Sequence, residues 1–298
     1  RKFRLNVRLV HQPVLLKEVI ELLDIHEGDI YLDATVGEGG HALEIWKGLG
    51  AKVEIVGIDT DPRAIERVRE KFKEGKFEVL NFREIDRAPE ILGIESPNKI
   101  LFDLGWSKEQ FALGGRGFSF QIDEPLDMRY GKDSRFNAYD IVNKWQEQNI
   151  RTIIESYGEE RFAGKIAKAI VKSRKEKPIK TSFELVEVIM KATPVWYHHK
   201  KIHPATKTFQ ALRIAVNDEL EALQEGLEKA FEILKKGGRL AVISFQSLED
   251  RIVKNFFRSL KNQTRAEVLI KKPIIAGRQE IKENLRSRSA KLRVIKKL

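Results

Sequence analysis

The chain has 298 residues, of which 42% are apolar and 33% charged, and its formal net charge is +11. This length and composition are typical of a globular protein with two domains or one large domain. It contains no cysteine, which excludes disulfides, thiolate nucleophiles and cysteine-ligated zinc or iron–sulfur sites. No apolar run approaches the roughly 18 residues of a membrane-spanning helix. Residues 1–10 are basic and lack the apolar segment of a secretory signal, so we expect a cytoplasmic protein and no membrane partner.

Short apolar segments alternate with helical patterns over the first 112 residues. The predicted helices cover residues 14–23, 41–50, 62–73 and 85–93. The predicted strands cover residues 30–33, 53–58, 77–80 and 99–102. Because short loops connect these elements, the alternation predicts a parallel sheet built from βαβ units.

After residue 112 the alternation stops. Helical patterns follow at about 137–155, 158–173, 181–192 and 206–235, with no strand among them. Strand patterns return at 239–245, and a helix near 248–260 precedes two strands near 266–270 and 290–296. We therefore predict a doubly wound α/β domain formed by residues 1–112 and 218–298, with residues 113–217 as an inserted helical domain.

A glycine-rich loop follows the first strand. Residues 36–42 read Val-Gly-Glu-Gly-Gly-His-Ala and satisfy the G-x-G-x-x-A fingerprint, which alone is a weak signal. Glycine lets a ligand approach the backbone, and the next helix offers free N–H groups at its start. Asp59 ends the second strand, 20 residues after Gly39, where a carboxylate accepts from ribose hydroxyls. Both NAD and S-adenosylmethionine carry such a ribose, and a purely structural turn is the third possibility.

Two acidic residues near this loop separate the candidate cofactors. Asp33 ends the first strand and Glu38 lies within the loop. Their charges would repel the pyrophosphate of a nicotinamide dinucleotide and attract a sulfonium and an ammonium group. The sequence therefore favours S-adenosylmethionine over NAD.

The fourth predicted strand ends in Asp103-Leu104-Gly105-Trp106-Ser107. Methyltransferases that act on exocyclic base nitrogens tend to carry an Asp/Asn/Ser-Pro-Pro-aromatic turn there, of which Asp103 and Trp106 keep the two ends. An amine such as N4 of cytosine is a poor nucleophile, and an oxygen that accepts one of its protons assists its attack. Asp103 is therefore a candidate catalytic residue. A helix cap or a ligand of the cofactor's amine is the equally weighted alternative.

The positive charge is concentrated near the C-terminus. Residues 251–298 contain 15 Lys and Arg against 3 Asp and Glu. Within them, residues 291–296 alternate basic and apolar side chains, as in a strand with one basic face. This pattern favours a surface that faces a polyanion such as nucleic acid over a merely solubilising tail.

The helical insert contains further candidates. Residues Arg116, Phe118 and Phe120 alternate on a glycine-flanked loop, which is typical of a base-stacking platform and equally of an aromatic cluster that seals the insert. Asp127 and Arg129 are expected to pair and fix this loop. The pattern of residues 209–216 predicts a buried helix face with Phe209, Leu212, Ile214 and Val216, while Arg213 and Asn217 share a face that would line a cleft. His198, His199 and His203 lack the partners of a metal site, and we expect no metal.

Long ordered segments of the chain resemble the MraW/RsmH family, the small-subunit ribosomal RNA cytosine-N4 methyltransferases. The segments that carry the resemblance are residues 11–16, 33–41, 57–62, 116–120, 125–129, 157–160, 203–217, 243–251 and 286–293. They cover the chain nearly from end to end. The resemblance implies a Rossmann-like S-adenosylmethionine-dependent methyltransferase fold with an inserted helical domain.

The resemblance also implies an activity and a set of site residues. The S-adenosylmethionine contacts would come from Gly39, Gly40, His41, Asp59 at the ribose, Phe82 near the adenine, Asp103 and Gln110. The activity would be methylation of N4 of a cytidine in the decoding region of 16S ribosomal RNA, within the small ribosomal subunit. No metal is expected, since methyl transfer requires alignment rather than a Lewis acid.

Two positions depart from the family pattern. Gln246 stands where the family usually has His, which removes a general base at that point. Trp106-Ser107-Lys108 replaces the usual Val-Ser-Ser. Two other classes remain as alternatives: a nicotinamide oxidoreductase, which shares the fold and loop, and a non-enzymatic RNA-binding assembly factor, which shares the basic C-terminal segment. The sequence does not distinguish a monomer from a dimer.

Overall fold

A computed structural model describes residues 13–104, 115–131 and 134–298 of the chain. The chain divides into two compact units. An α/β unit comprises Arg1–Gly105 and Ala222–Leu298, and a helical unit comprises Trp106–Glu221. The division therefore lies at residues 105 and 221, where the sequence analysis placed it at 112 and 217.

A single seven-stranded sheet forms the centre of the α/β unit. Its strands are β1 Ile30–Asp33, β2 Glu54–Asp59, β3 Lys76–Val79, β4 Lys99–Asp103, β5 Arg239–Ser244, β6 Ala266–Val268 and β7 Lys291–Lys297. Their order is β3-β2-β1-β4-β5-β7-β6. The strands β1 to β5 run parallel, and β7 pairs antiparallel with both β5 and β6. The strand order reverses between β1 and β4, so the ligand crevice of this fold type lies at the carboxyl ends of these strands.

Thirteen α-helices are found in the part of the chain that the structure describes. In chain order they are α1 Leu16–Leu23, α2 Gly40–Leu49, α3 Pro62–Lys71, α4 Ala88–Leu92, α5 Ala138–Lys144, α6 Glu147–Ser156, α7 Ala163–Glu176, α8 Ser182–Ala192, α9 Val195–His198, α10 Ala205–Asn217, α11 Glu219–Ile233, α12 Ser247–Asn262 and α13 Arg278–Glu283. A 3₁₀ helix, Phe82–Arg87, precedes α4. None of these helices is both long and apolar enough to cross a membrane.

Both faces of the sheet are buried, and the side chains of each strand alternate between the two faces. Leu32 and Phe102 belong to an apolar cluster on one face, which also contains Phe231 of α11. Tyr31 and Leu101 belong to the cluster on the other face. This two-sided burial explains why the strands read as short continuous apolar runs.

Two predicted helices are each divided in two. The predicted helix 137–155 breaks at Trp145, which is extended between α5 and α6. The predicted helix 206–235 breaks at Asp218, whose φ of 51° is left-handed and ends α10. The predicted strand at 266–270 ends at Val268. These helix breaks were missed because the apolar periodicity continues on both sides of one or two non-helical residues, Trp145 and Gln146 in the first break and Asp218 in the second.

The helical unit has an apolar core of its own. Phe209, Leu212 and Val216 of α10 are buried in it, and Ile214 is also buried. The predicted apolar face of this helix is therefore confirmed. In the described residues of this unit, strand pairing is limited to an isolated bridge between Pro125 and Thr181.

Candidate functional site

The glycine-rich loop joins β1 to the first residue of α2. Its backbone is pinned to neighbouring strands, since Ala34 N–H donates to the Leu101 carbonyl and Val36 N–H to the Ile58 carbonyl. Gly39 has a left-handed φ of 77°, and a Cβ there would lie 2.6 Å from Cγ2 of Val68 on α3. Only glycine suits this position, because both the backbone conformation and the packing exclude a side chain.

Asp59 ends β2 directly beside this loop. Its Oδ2 accepts from Gly37 N–H at 2.9 Å, and its Oδ1 accepts from Asp61 N–H at 2.9 Å. Burial raises the pKa of Asp59 above its ordinary value, and these backbone donors oppose the rise. These two backbone donors hold the carboxylate in place. Each of its oxygens has a second lone pair, so the carboxylate can still accept a hydrogen bond from a ligand hydroxyl.

Phe82 opens the 3₁₀ helix after β3. The preceding residue, Asn81, accepts from Arg83 N–H and so caps this turn. The Phe82 ring packs edge-to-face on Phe102 of β4 with centroids 5.6 Å apart. Gly226 of α11 permits this packing, because a Cβ there would lie 2.8 Å from Cδ2 of Phe82. The half-buried ring is thus fixed on the sheet.

Asp103 is the last residue of β4. Its N–H donates to Thr35 Oγ1 at 2.7 Å, which ties the strand end to the glycine-rich loop. Its Oδ1 is buried and accepts no hydrogen bond from the residues that the structure describes. A buried carboxylate oxygen costs stability unless a donor satisfies it, so this oxygen is able to accept a hydrogen bond from a ligand.

His41 lies between α1 and Asp103. Its Nε2 is 2.9 Å from the Val14 carbonyl oxygen. Because a carbonyl only accepts, Nε2 carries a hydrogen in this arrangement. Its Nδ1 lies 3.7 Å from Oδ2 of Asp103, and the imidazole is only 4% exposed. One nitrogen is therefore occupied by a structural contact, and the other faces the carboxylate at the strand end.

A buried pair beneath these residues was missed by the sequence analysis. Tyr31 donates its hydroxyl to Asp33 Oδ2 at 3.1 Å, and Thr35 N–H donates to Asp33 Oδ1 at 3.1 Å. Desolvation raises the pKa of Asp33 to about 6, and the neighbouring His41 opposes that rise. Tyr31 and Asp33 are two apart on one strand, so their shared face was a signal available in the sequence.

Glu38 does not act as the free loop charge that the sequence analysis assumed. Its carboxylate pairs with Arg67 Nε at 3.1 Å and with Lys71 Nζ at 2.6 Å, both on α3. Those cations balance its charge. The electrostatic argument for a cationic cofactor, made from Asp33 and Glu38, was wrong for Glu38. Asp33 is buried and hydrogen-bonded to Tyr31, and the acidic residues at the neighbouring strand ends are Asp59 and Asp103.

Three named positions need separate mention. Gln110 and Trp106 lie outside the described residues. Gln246 precedes α12, and its N–H donates to Glu249 Oε2 at 3.1 Å. Across residues 13–104, 115–131 and 134–298, no group of three or more His, Cys, Asp or Glu is placed to hold a metal ion.

The predicted basic face of the last strand is wrong for two of its residues. β7 lies inside the sheet, between β5 and β6. Arg293 is only 8% exposed, and its Nε donates to Asp250 Oδ1 at 2.7 Å. Lys291 lies 3.3 Å from Oδ2 of the same carboxylate. Both cations are paired with Asp250 within the α/β unit.

The aromatic loop of the helical unit forms an internal cluster. Phe118 stacks on Tyr130 at 5.8 Å, and Phe120 stacks on His203 at 4.8 Å and packs edge-to-face on Phe209. Both Phe118 and Phe120 are half-buried against the helical core. Of the two possibilities for these phenylalanines, the structure shows the sealing cluster.

The polar residues of this region hold the same loop. Asp127 pairs with Arg129 at 2.6 Å, as expected. Arg116 donates to the carbonyls of Arg129 and Tyr130, both at 3.0 Å. Asn217 accepts from Tyr130 N–H at 2.8 Å. In α10, Arg213 pairs with Glu219 at 2.8 Å. The two residues expected to line a cleft therefore make contacts within the helical unit.

Comparison with known proteins identifies the family to which this chain belongs. Residues 8–298 match the family model described as the MraW methylase family. The chain belongs to this family. It is 48% identical over 288 residues to "Ribosomal RNA small subunit methyltransferase H" of a Sulfurihydrogenibium species, with 95% of this chain and 98% of the relative covered. It is 46% identical to the protein of the same name from Persephonella marina, with 97% and 99% covered.

Two of the solved structures that the comparison finds share little sequence with this chain and have TM-scores below 0.5. TrmN from Thermus thermophilus has 12% identity and a TM-score of 0.46, with 95% of this chain and 48% of that chain covered. A putative rRNA-methylase from Clostridium thermocellum has 13% identity and a TM-score of 0.45, with 97% and 100% covered.

Family membership confirms the predicted Rossmann-like methyltransferase fold and S-adenosylmethionine as the cofactor. It also favours a methylase over the nicotinamide oxidoreductase and the non-enzymatic factor. The residues present fit this cofactor on their own geometry. Gly39 gives the loop its left-handed turn, Asp59 retains acceptor capacity for ribose hydroxyls, and Asp103 presents a buried oxygen that accepts no hydrogen bond from the described residues.

Proposed function

We propose that the protein methylates N4 of a cytidine in the decoding region of 16S ribosomal RNA. The observation that carries the proposal is the buried Oδ1 of Asp103 at the end of β4, which accepts no hydrogen bond from the described part of the chain, in a member of a methylase family. The names of the relatives support small-subunit ribosomal RNA as the substrate. The resemblance described above supports the cytidine N4 atom.

The cofactor would lie over the glycine-rich loop. The loop backbone at Gly39 and Gly40 would line the cofactor pocket, and Asp59 would accept from the ribose hydroxyls. The ring of Phe82 borders the adenine, and His41 and Gln110 complete the contacts. When bound, S-adenosylmethionine supplies an electrophilic methyl group on a sulfonium.

Asp103 would accept a hydrogen bond from the amine that attacks this methyl group. Delocalisation of the N4 lone pair into the cytosine ring makes the amine a weak nucleophile. An oxygen fixed at the end of β4 draws one amine proton away and returns electron density to nitrogen. The 2.7 Å bond from its own N–H to Thr35 fixes the backbone of Asp103 for this role. The competing role for the same oxygen is to bind the cofactor's ammonium group.

The helical unit would recognise RNA. We assign this role to residues 113–217, and we expect the substrate to be ribosomal RNA within the small ribosomal subunit. Recognition of a single base usually takes that base out of its stack. A substrate of this kind implies a cytoplasmic protein.

The test is nucleoside analysis of RNA treated with the purified protein and S-adenosylmethionine. Both free 16S ribosomal RNA and assembled small subunits serve as substrates, and reactions without the methyl donor are the controls. We expect N4-methylcytidine, detected by mass spectrometry at one position. A methyl group on another atom would refute the N4 assignment. No methylation of either substrate would refute ribosomal RNA as the target.

A further inference from the structure

One face of α7 in the helical unit carries a row of lysines. Lys165, Lys168, Lys172 and Lys175 follow one another at spacings of three, four and three residues. Residues at these spacings lie on one side of a helix, and the row extends over about 15 Å. All four are exposed, whereas Ile166 and Ile170 on the other side are buried in the helical core.

These lysines differ from other lysines of the helical unit in their ion pairing. None of the four forms an ion pair with any carboxylate in the part of the chain that the structure describes. Other lysines of the same unit do pair, for example Lys144 with Asp140 at 2.7 Å and Lys177 with Glu184 at 2.7 Å. The row therefore presents an uncompensated positive charge to solvent, and it suits a linear polyanion.

An exposed aromatic residue lies at the N-terminal end of this row. Trp196 is 50% exposed, and its ring packs edge-to-face on Phe162 at 5.9 Å and on Tyr197 at 5.8 Å. Lys165, the first lysine of the row, lies 5.7 Å from the ring of Phe162. The row and the aromatic cluster therefore form one continuous surface.

The exposed ring is held rigidly. Tyr197 donates its hydroxyl to Glu160 Oε2 at 2.6 Å, and Glu160 is only 2% exposed. The guanidinium of Arg161 lies 5.2 Å from the Trp196 ring, and the ammonium of Lys200 lies 5.4 Å from it. A fixed aromatic face flanked by cations is the arrangement that stacks an unpaired base and contacts its phosphate.

We propose that Lys165, Lys168, Lys172, Lys175 and Trp196 form a docking surface for a single-stranded segment of the RNA substrate. The lysines contact successive phosphates, and Trp196 stacks one base. This surface rests on the proposed function for its biological ligand, although its binding to RNA is measurable without methylation. An anionic membrane is the alternative ligand that the experiment distinguishes.

The first measurement uses the full-length protein and a fluorescein-labelled single-stranded RNA of about 12 nucleotides. Its Kd is determined by fluorescence anisotropy from about 50 to about 300 mM KCl. The double substitution Lys165→Gln/Lys172→Gln should reduce the slope of log affinity against log salt by about 1.4, because each phosphate contact to a single strand contributes about 0.7. The matched control, Lys73→Gln/Lys236→Gln, removes two exposed lysines of the α/β unit and should leave the slope unchanged.

The second measurement tests the aromatic residue. Trp196→Ala should weaken binding about 5- to 150-fold at fixed salt, which is the range for loss of one stacked base. Trp196→Tyr should restore much of the affinity. Phe183→Ala is the control, since Phe183 is 46% exposed in the same unit. Thermal unfolding and calorimetric binding of S-adenosylmethionine verify that each variant is folded.

Three results would overturn the docking surface. The first is a salt slope for the lysine variant equal to that of its control, and the second is an RNA affinity of Trp196→Ala equal to that of Phe183→Ala. The third comes from binding of the same variants to phosphatidylglycerol vesicles: the variants lose affinity for the vesicles and keep their affinity for RNA. Methylation assays separate this proposal from the function. If the wild type methylates ribosomal RNA and the variants keep its KM, only the surface is wrong. If the oligonucleotide results hold and the wild type methylates no ribosomal RNA, only the function is wrong.

Discussion

Replacement of Asp33 by Asn should make the protein more stable at neutral pH. The carboxyl group is 2% exposed and accepts hydrogen bonds from Tyr31 and from Thr35 N–H. Desolvation is the largest influence on its pKa, which rises from 3.8 to about 6. An amide of the same shape still accepts from Thr35 and carries no charge to desolvate.

The size of the effect follows from this pKa. Because the folded state binds the proton more tightly than the unfolded state, the contribution of Asp33 to stability is greatest below pH 3.8. It is lost as the pH rises through about 6. A rise of this size corresponds to about 3 kcal/mol, which is the upper limit of the gain for Asp33→Asn at pH 7.5. Near pH 4 the gain should disappear.

Urea unfolding followed by circular dichroism at several pH values between about 4 and 8 measures this difference. Glu74→Gln is the control, because Glu74 is exposed and the same charge is removed there. Its free energy of unfolding should stay within about 0.5 kcal/mol of the wild type. If Asp33→Asn is instead less stable than wild type at pH 7.5, the ionised carboxylate is stabilising, and His41 compensates for its burial.

Three further substitutions test the cofactor site. Asp103→Asn should lose about 10²- to 10⁴-fold in the single-turnover methyl-transfer rate at saturating S-adenosylmethionine, whereas a loss rescued by excess cofactor would make Asp103 a cofactor ligand instead. Asp59→Ala should weaken calorimetric binding of S-adenosylmethionine by about 1 to 3 kcal/mol, and unchanged binding would remove Asp59 from the site. Gly39→Ala should destabilise the protein because its Cβ would lie 2.6 Å from Val68, whereas Gly48→Ala in the following helix α2 has open space and should stabilise it by up to about 1 kcal/mol in thermal unfolding.

The sheet could be predicted from sequence because its central strands are buried on both faces. β1 has the predicted limits, and β4 exceeds them by one residue. The helix breaks could not be predicted in the same way. Asp218 adopts a left-handed conformation between two helices whose apolar patterns both continue. A periodicity argument depends on the neighbouring side chains and contains no information on the backbone of one residue.

The candidate site shows the same division between local and distant information. Asp59 and Asp103 were identified because each ends a parallel strand, which is a property of the local sequence. The pairing of Glu38 with Arg67 and Lys71 depends on how α3 packs beside the loop. Its charge was therefore misjudged. The burial of the Asp103 Oδ1, without a donor among the residues that the structure describes, is likewise a property of three-dimensional packing.

Charge counting along the chain predicts an RNA surface in residues 251–298, the structure adds the α7 lysines as a second candidate, and a salt titration can separate the two. In the C-terminal segment, Lys291 is bound to Asp250, whereas Arg288 is exposed. Arg288→Gln/Lys291→Gln should therefore remove at most one phosphate contact and reduce the salt slope for single-stranded RNA by about 0.7 or less. The α7 lysines are not paired in the described structure, and Lys165→Gln/Lys172→Gln should remove two contacts. A larger reduction for the C-terminal variant than for the α7 variant would assign the RNA surface to residues 251–298, because the exposed Arg288 and the paired Lys291 would then contribute more to phosphate binding than two exposed lysines of α7.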